Sequence, residues 1–300
     1  MINVYEEQDR NKRASFLIII IFVVFVVLSS WFIAKALDYG PGMIGVGLIF
    51  SGIMSFASYW WSDKIILGLS GARPADRRRD FNFFTVTENL SLAAQIPMPK
   101  LYVIEDNAMN AFATGRDPKH AVVCATTGLL SRLNRTEIEG VVAHELSHVR
   151  NYDIRLMSIV TILVGLVTLL GDWFLRGFRI RKKSNDEGGQ LQVVLFLTGF
   201  VLAILSPIIA RLIQLAISRQ REYSADAAGV FLTRYPAGLT SALKKISMDT
   251  EPLEAANKAT AHLYITNPLK NRHDQIGWFA SLFNTHPPVE QRIKRLEAME

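Results

Sequence analysis

The stretch that decides the fold is Val141–Met157, VVAHELSHVRNYDIRLM. Within it, His144-Glu145-Leu146-Ser147-His148 sets two histidines four residues apart. On a helix that spacing puts both imidazoles on one face, where they can hold a single metal ion. Glu145 lies beside that face, placed to take a proton from a water at the metal rather than to bind the metal itself. Leu133, Ile138, Val141, Val142 and Leu146 recur at helical spacing, which predicts a helix over Ser131–Asn151. The same stretch then enters residues 156–171, a window without Asp, Glu, Lys or Arg. A metal-binding helix that leads into charge-free sequence predicts a site held close to a membrane.

Three further windows carry no charge: 14–34, 39–62 and 188–210. Averaged over 300 residues the chain is 50% hydrophobic and 20% charged, with a net charge of +6. The 33 basic and 27 acidic residues, however, all fall outside those four windows. The average therefore conceals membrane helix beside ordinary globular material, and a single water-soluble domain is excluded. Each of the first two windows reaches the roughly 20 residues that span a bilayer core. Gly40-Pro41-Gly42 turns the chain between them, and Tyr59, Trp60 and Trp61 end the second where an interface belt would sit. The apolar run Phe16–Ile33 exceeds the roughly 7–15 residues of a signal-peptide core and a second apolar segment follows, so an uncleaved hairpin is expected. Arg10, Lys12 and Arg13 precede it, and Lys64, Arg73, Arg77, Arg78 and Arg79 follow it, which puts both ends in the cytoplasm. This accounts for much of the positive charge without nucleic acid, for which no motif is present.

The later windows are ambiguous. Residues 156–171 would span roughly 24 Å as a helix, slightly short, and 188–210 contains Pro207. Between them Arg176, Arg179, Arg181, Lys182 and Lys183 would stay cytoplasmic by the charge rule. The pair either crosses against that rule or dips in without crossing. The expected organisation is an N-terminal transmembrane hairpin (1–62), a first catalytic part (63–155), a second apolar hairpin (156–210) and a second catalytic part (211–300). In the first part, Phe83–Gln95 reads as a helix, and Lys100–Val103, Ala111–Thr114 and Ala121–Thr126 as strands of a small β meander. The fold class expected is a mainly α membrane protein. Cys124 is the one cysteine, which rules out an internal disulfide and a cysteine-based zinc cluster; it reads as a small buried residue.

Two histidines leave a zinc site incomplete, because catalytic zinc takes a third protein ligand and an open position. His120, His262, His273 and His286 are candidates, as is any carboxylate. The strongest is Glu222, within Arg221-Glu222-Tyr223-Ser224-Ala225-Asp226. Glu222 and Asp226 are again four apart on a predicted helix, so one can ligate while the other hydrogen-bonds a ligand histidine.

Four segments, NAFATG (110–115), VVAHELSHVRNYDIRLM, REYSADAAG (221–229) and THPPVEQRIKRL (285–296), occur together. In this they resemble the HtpX-type membrane zinc metalloproteases, relatives of the CAAX prenyl endopeptidases, over most of the chain. The resemblance implies a zincin-like domain with one zinc ion on His144, His148 and Glu222, with Glu145 as catalytic base and Asp226 behind a ligand histidine. It suggests that His286 and Arg292 stabilise the oxyanion, although without it HPP is simply a turn before a short amphipathic helix. It likens Asn110-Ala111-Phe112-Ala113 to an edge strand that substrate joins as an extra strand, where an ordinary edge strand is the competing reading. Asn151 and Asp153 are assigned to capping or packing.

The implied partners are the lipid bilayer and membrane-protein or unfolded polypeptide substrates. The implied role is quality control of damaged or misfolded membrane proteins. The implied place is a bacterial-type plasma membrane, multi-pass, with a cytoplasmic catalytic domain. A CAAX-type prenyl-peptide protease is the nearer rival, although four apolar windows are few for a relative that encloses its site in a larger set of helices. A non-proteolytic zinc-binding scaffold is the other, although every catalytic residue is present. Because Glu222 must reach the 144–148 site, the chain between crosses the membrane an even number of times. If both ligand helices continue unbroken, the zinc lies roughly 12–18 Å from the bilayer core.

Overall fold

The computed structural model describes residues 4–36, 40, 42–163, 165, 219–256, 260, 263–266 and 287–300. Helices α1 (Val4–Ala36) and α2 (Gly42–Trp60) pack on one another as the expected hairpin. A side chain at Gly47 would collide with Ser30, so the two backbones meet where both residues are small. Gln8–Leu28 is long and apolar enough to cross a membrane, while α2 passes into α3 (Ser62–Leu69) through an 82° bend. Helix α1 starts at Val4, so the polar residues before the apolar run form its first turns rather than a free tail. At the far end of the hairpin, Arg116 stacks on Trp60 at 4.6 Å and Arg155 on Tyr59 at 5.4 Å. These aromatic residues thus grip the catalytic domain as well as ending the apolar segment.

The sheet corrects one expectation. Strands β1 (Arg73–Pro74), β2 (Lys100–Ile104), β3 (Ala111–Gly115) and β4 (Ala121–Thr126) lie in the order β1-β2-β4-β3. It is not a meander, because β2 and β4 run parallel and only β3–β4 and β1–β2 are antiparallel. The 105–110 segment carries the chain past β4 to the far edge, held by Thr126 Oγ1 donating to Ala108 O and Gly128 N donating to Asp106 O. Strand spacing along a sequence does not encode that order. Alternate residues of β3 and β4 enter two cores. Ala111, Ala113, Val123 and Ala125 join the layer of helix α4 (Phe81–Ala94), and Phe112 and Cys124 join Met157 and Tyr264 on the other face. Cys124 is buried in that second core, and burial alone pushes its thiol up out of the reactive range.

The predicted helix over Ser131–Asn151 is two, α5 (Thr127–Arg132) and α6 (Arg135–Arg150). The break is chemical. Asn134 accepts from Glu137 N while Asn134 N donates to the Glu137 carboxylate, a capping box that starts a new helix. The same carboxylate accepts from Ser241 (2.6 Å) and Lys245 (2.7 Å) on α9 (Pro236–Met248), tying that helix to α6. Burial opposes the charge of Glu137, but these partners outweigh it and hold its carboxyl below the usual range. Gly140 lets α9 cross closely, since a Cβ there would stand 2.6 Å from Leu239 N.

Helix α6 does not run on into the next apolar window. It ends at Arg150, Tyr152 takes a left-handed φ of 61°, and a new helix α7 begins at 153 and is described to 163. Ile154, Leu156, Met157, Ile159, Val160, Ile162 and Leu163 are buried within the protein. Ser158 Oγ and Thr114 Oγ1, 2.8 Å apart, join α7 to β3. The window's first residues are thus attached to the sheet, Met157 through the second core and Ser158 through β3. The unbroken helix assumed for the 12–18 Å distance does not exist on this side. Window 188–210 and the basic cluster at 176–183 lie outside the described residues.

Candidate metal centre

On α6, His144 and His148 stand one turn apart with their rings crossed at 88° and their Nε2 atoms 3.2 Å apart. Helix α8 (Arg219–Thr233) crosses here, and at Gly229 a Cβ would lie 3.2 Å from His144 N. That close approach brings the first turn of α8 to the histidines. Glu222 Oε1 lies 3.5 Å from His148 Nε2, and Oε2 lies 3.7 Å from His144 Nε2. Tetrahedral zinc with bonds near 2.0–2.2 Å needs ligand atoms about 3.3–3.6 Å apart. The three atoms, all within 4.8 Å of one another, meet that requirement with small adjustment. Two imidazole nitrogens and a carboxylate oxygen also match the zinc donor set. His120 does not join them; it is exposed and pairs with Asp117 at 2.8 Å.

Each histidine of this cluster is held from behind. His144 Nδ1 faces Asp226 Oδ1 at 2.9 Å, and His148 Nδ1 faces Asp153 Oδ2 at 3.0 Å. A carboxylate on Nδ1 fixes the tautomer that presents the Nε2 lone pair to a metal. Asp226 is in turn gripped by Arg292 of α10 (Val289–Glu297), Nε donating to Oδ2 at 2.9 Å and Nη2 to Oδ1 at 2.6 Å. Arg292 is fully buried, and its Nη1 donates to Ile265 O at 3.2 Å and lies 3.6 Å from Glu222 Oε2.

Burial dominates the electrostatics, and the partners decide which groups overcome it. Burial penalises the Asp226 carboxylate, but Arg292 and His144 outweigh it and hold Asp226 at about 2. Burial likewise opposes a charged His148. The Asp153 hydrogen bond and the charges of Glu222 and Glu145 nonetheless push the ring up to about 9. The surplus of negative charge that draws a proton to this cluster equally favours a divalent cation. Glu145 has no such rescue: burial raises its carboxyl above the ordinary value, and the neighbouring histidines only partly offset it. A carboxylate with raised proton affinity is a better general base.

Glu145, His144, His148 and Glu222 share a cavity of about 10 Å³ with Ala113, Met157, Leu263 and Ile265. Of the four residues read as an edge strand, Ala111–Ala113 lie in β3, which is an edge of the sheet, and Asn110 immediately precedes it. Asn110 is buried and its Nδ2 donates to Thr266 O. On the outer side of β3, Ile265 N donates to Ala111 O at 3.0 Å. Arg292 is thus brought into the centre, whereas His286, like His262 and His273, lies outside the described residues.

The reading of Asp153 as a capping or packing residue is corrected, because its carboxylate pairs with His148 of the candidate metal cluster. It stands five residues after His148, too far round a continuous helix, and only the left-handed turn at Tyr152 folds it back. Arg221 and Asn11, to which the sequence assigns no role, both contact Asp153. The one hint was a polar residue, Asn11, just before an apolar run.

The profile of peptidase family M48 matches residues 78–300. The chain is 44% identical over 295 residues to the protease HtpX homolog of Dictyoglomus thermophilum, covering 98% of this chain and 94% of that one. It is 44% identical over 301 residues to the protease HtpX homolog of Caldanaerobacter subterraneus subsp. tengcongensis, covering 98% and 97%. Among solved structures, Ste24p of S. mikatae is similar with a TM-score of 0.50 at 18% identity, over 91% of this chain and 62% of that chain.

Proposed function

The chain belongs to peptidase family M48 as an HtpX-type membrane zinc metalloprotease, and from that premise we propose that it cleaves membrane-embedded or unfolded polypeptides at the cytoplasmic membrane face. The observation that carries the reading is the His144–His148–Glu222 cluster with Glu145 in the same cavity. One zinc ion on those three ligands would lower the pKa of a bound water and polarise a peptide carbonyl. Glu145 accepts the water proton and returns it to the leaving amine. Asp226 and Asp153 keep the ligand imidazoles oriented, and Arg292 holds Asp226 and places its positive charge beside Glu222. His286 we assign to the oxyanion with Arg292, on the family pattern alone.

Substrate joins β3 along Asn110–Ala113, whose last residue lines the catalytic cavity. Ile265 already uses the Ala111 carbonyl, and Leu263 and Ile265 close the cavity, so an incoming peptide takes the place of 263–266.

The test measures bound metal and cleavage together, in membranes, with an unfolded membrane protein and a prenylated peptide offered side by side. Wild type is expected to hold one zinc per chain and to cut the first substrate, and Glu222→Gln to lose most of both. Full zinc occupancy in the variant would overturn the ligand assignment, and cleavage confined to the prenylated peptide would overturn the substrate class.

We further propose a multi-pass topology divided at 1–62, 63–155, 156–210 and 211–300, with the catalytic parts and both ends of the first hairpin cytoplasmic. The charges flanking α1 and α2 support this, as does the return of α8 to α6. If the second hairpin crosses, a cysteine placed between Arg176 and Lys183 is labelled only from outside. Labelling from the cytoplasm would show that it dips in without crossing.

A further inference from the structure

Asn11 is the buried polar residue that the catalytic chemistry leaves unexplained. It sits on the N-terminal membrane helix α1, 1% exposed, three residues before the charge-free window that begins at 14. Its side chain uses both ends of the amide. Nδ2 donates to Asp153 Oδ1 at 2.6 Å and to Asn151 O at 2.9 Å, and Oδ1 accepts from Arg221 Nη2 at 2.9 Å. The contacts to Asp153 and Arg221 each lead to a proposed zinc ligand. Asp153 Oδ2 meets His148 Nδ1, and Arg221 immediately precedes Glu222 and ion-pairs with Asp153 at 2.8 Å.

One amide thus bridges the end of α6 and the start of α8, the two helices whose ligands must converge. No charged residue would do the same. An aspartate would set a second negative charge against Asp153, and a lysine or arginine would face Arg221. An amide offers a donor to one side and an acceptor to the other without net charge. It also occupies the second oxygen of Asp153, so that Oδ2 stays aimed at His148. Neighbouring contacts dock the same part of α1: Gln8 Nε2 donates to Arg150 O, and Lys12 stacks on the Tyr152 ring at 4.6 Å.

We propose that Asn11 is a positioning residue of the zinc site, acting through Asp153 and Arg221. The N-terminal membrane helix is then a structural part of the metal centre as well as an anchor. The inference rests on His148 and Glu222 being zinc ligands. Residues that orient ligand histidines typically contribute about 10- to 100-fold to metal affinity.

The experiment titrates zinc against a competing chelator in the full-length, membrane-reconstituted protein and records the absorption spectrum of the cobalt-substituted form. Asn11→Ala is expected to weaken zinc binding about 10- to 100-fold and to alter the cobalt spectrum, while Gln8→Ala, on the same face of α1, binds as wild type. Should Asn11→Ala not fold, Asn11→Ser carries the test, since its short hydroxyl does not reach both partners. In a cycle with Asp153→Asn, the Asn11 substitution should add less than it costs in the wild-type background, because the path through Asp153 is already cut and only the one through Arg221 remains. Wild-type affinity and spectrum in the Asn11 variants, or fully additive losses in the cycle, would overturn the inference. A His148→Ala arm separates the two levels. If that variant keeps wild-type zinc affinity the metal-site reading itself fails, and if it loses zinc while the Asn11 variants do not, only this inference fails.

Discussion

Glu145→Gln lowers peptide-bond cleavage by about 10²- to 10⁴-fold while zinc content stays at the wild-type level. The substitution keeps the shape of the side chain and removes its ability to accept a proton. Glu145 is not among the three residues proposed to hold the metal, so the metal should remain. It lies in the cavity beside His144, His148 and Glu222, where burial raises its proton affinity and so matches it to the role of base. The amide also removes one negative charge near the metal, which weakens the attraction for a cation, but no bond to the metal is lost, so zinc affinity is not expected to fall steeply. Metal analysis and cleavage of an unfolded membrane substrate on the same preparation decide the matter. Unchanged cleavage would eliminate Glu145 as the base, and loss of metal would recast it as part of the binding set.

The largest effect on stability is expected at Arg292. Arg292→Ala removes a fully buried guanidinium that makes two hydrogen bonds to Asp226 and one to Ile265 O. Asp226 then loses the cation that holds it at about 2, and it remains buried against His144. Removing one partner of a buried pair costs about 3–5 kcal/mol, because the surviving charge is uncompensated. A large fall in thermal midpoint is expected, together with weaker zinc retention as His144 loses its orientation. Arg292→Lys should recover little of either, since an ammonium does not reproduce the two parallel donors. Asp226→Asn with Arg292→Met, which removes both charges, should be less damaging to stability than Arg292→Ala alone. A thermal midpoint for Arg292→Ala within a degree or two of wild type would refute this account.

Much of the site is legible in the amino-acid sequence. HELSH needs only a helix for its two imidazoles to share a face, and a helix period is local. The same holds for Glu222 and Asp226 on α8. The capping box at Asn134–Glu137 is equally local, so the break between α5 and α6 is also written in the sequence, although the apolar spacing across it suggests one helix. The four charge-free windows announce membrane-associated sequence, yet Met157, packed with Phe112 and Cys124, shows the limit of that reasoning. Apolar residues facing protein and apolar residues facing lipid look alike until the partner is known.

Sequence by itself determined what depends on near neighbours along the chain: the histidine pair, the adjacent Glu145, the acidic pair on a second helix, the apolar hairpin and its flanking charges. Tertiary structure alone decided which distant groups meet. It set β2 parallel to β4, turned the chain at Tyr152 so that Asp153 reaches His148, drew Arg292 across to Asp226, and seated Asn11 of α1 between the end of α6 and the start of α8. The physical reason is range. Helix period and capping act over a few residues, whereas a buried charge accepts whichever partner the packing delivers, and for His148, Asp226 and Asn11 those contacts cross 5, 66 and 142 residues.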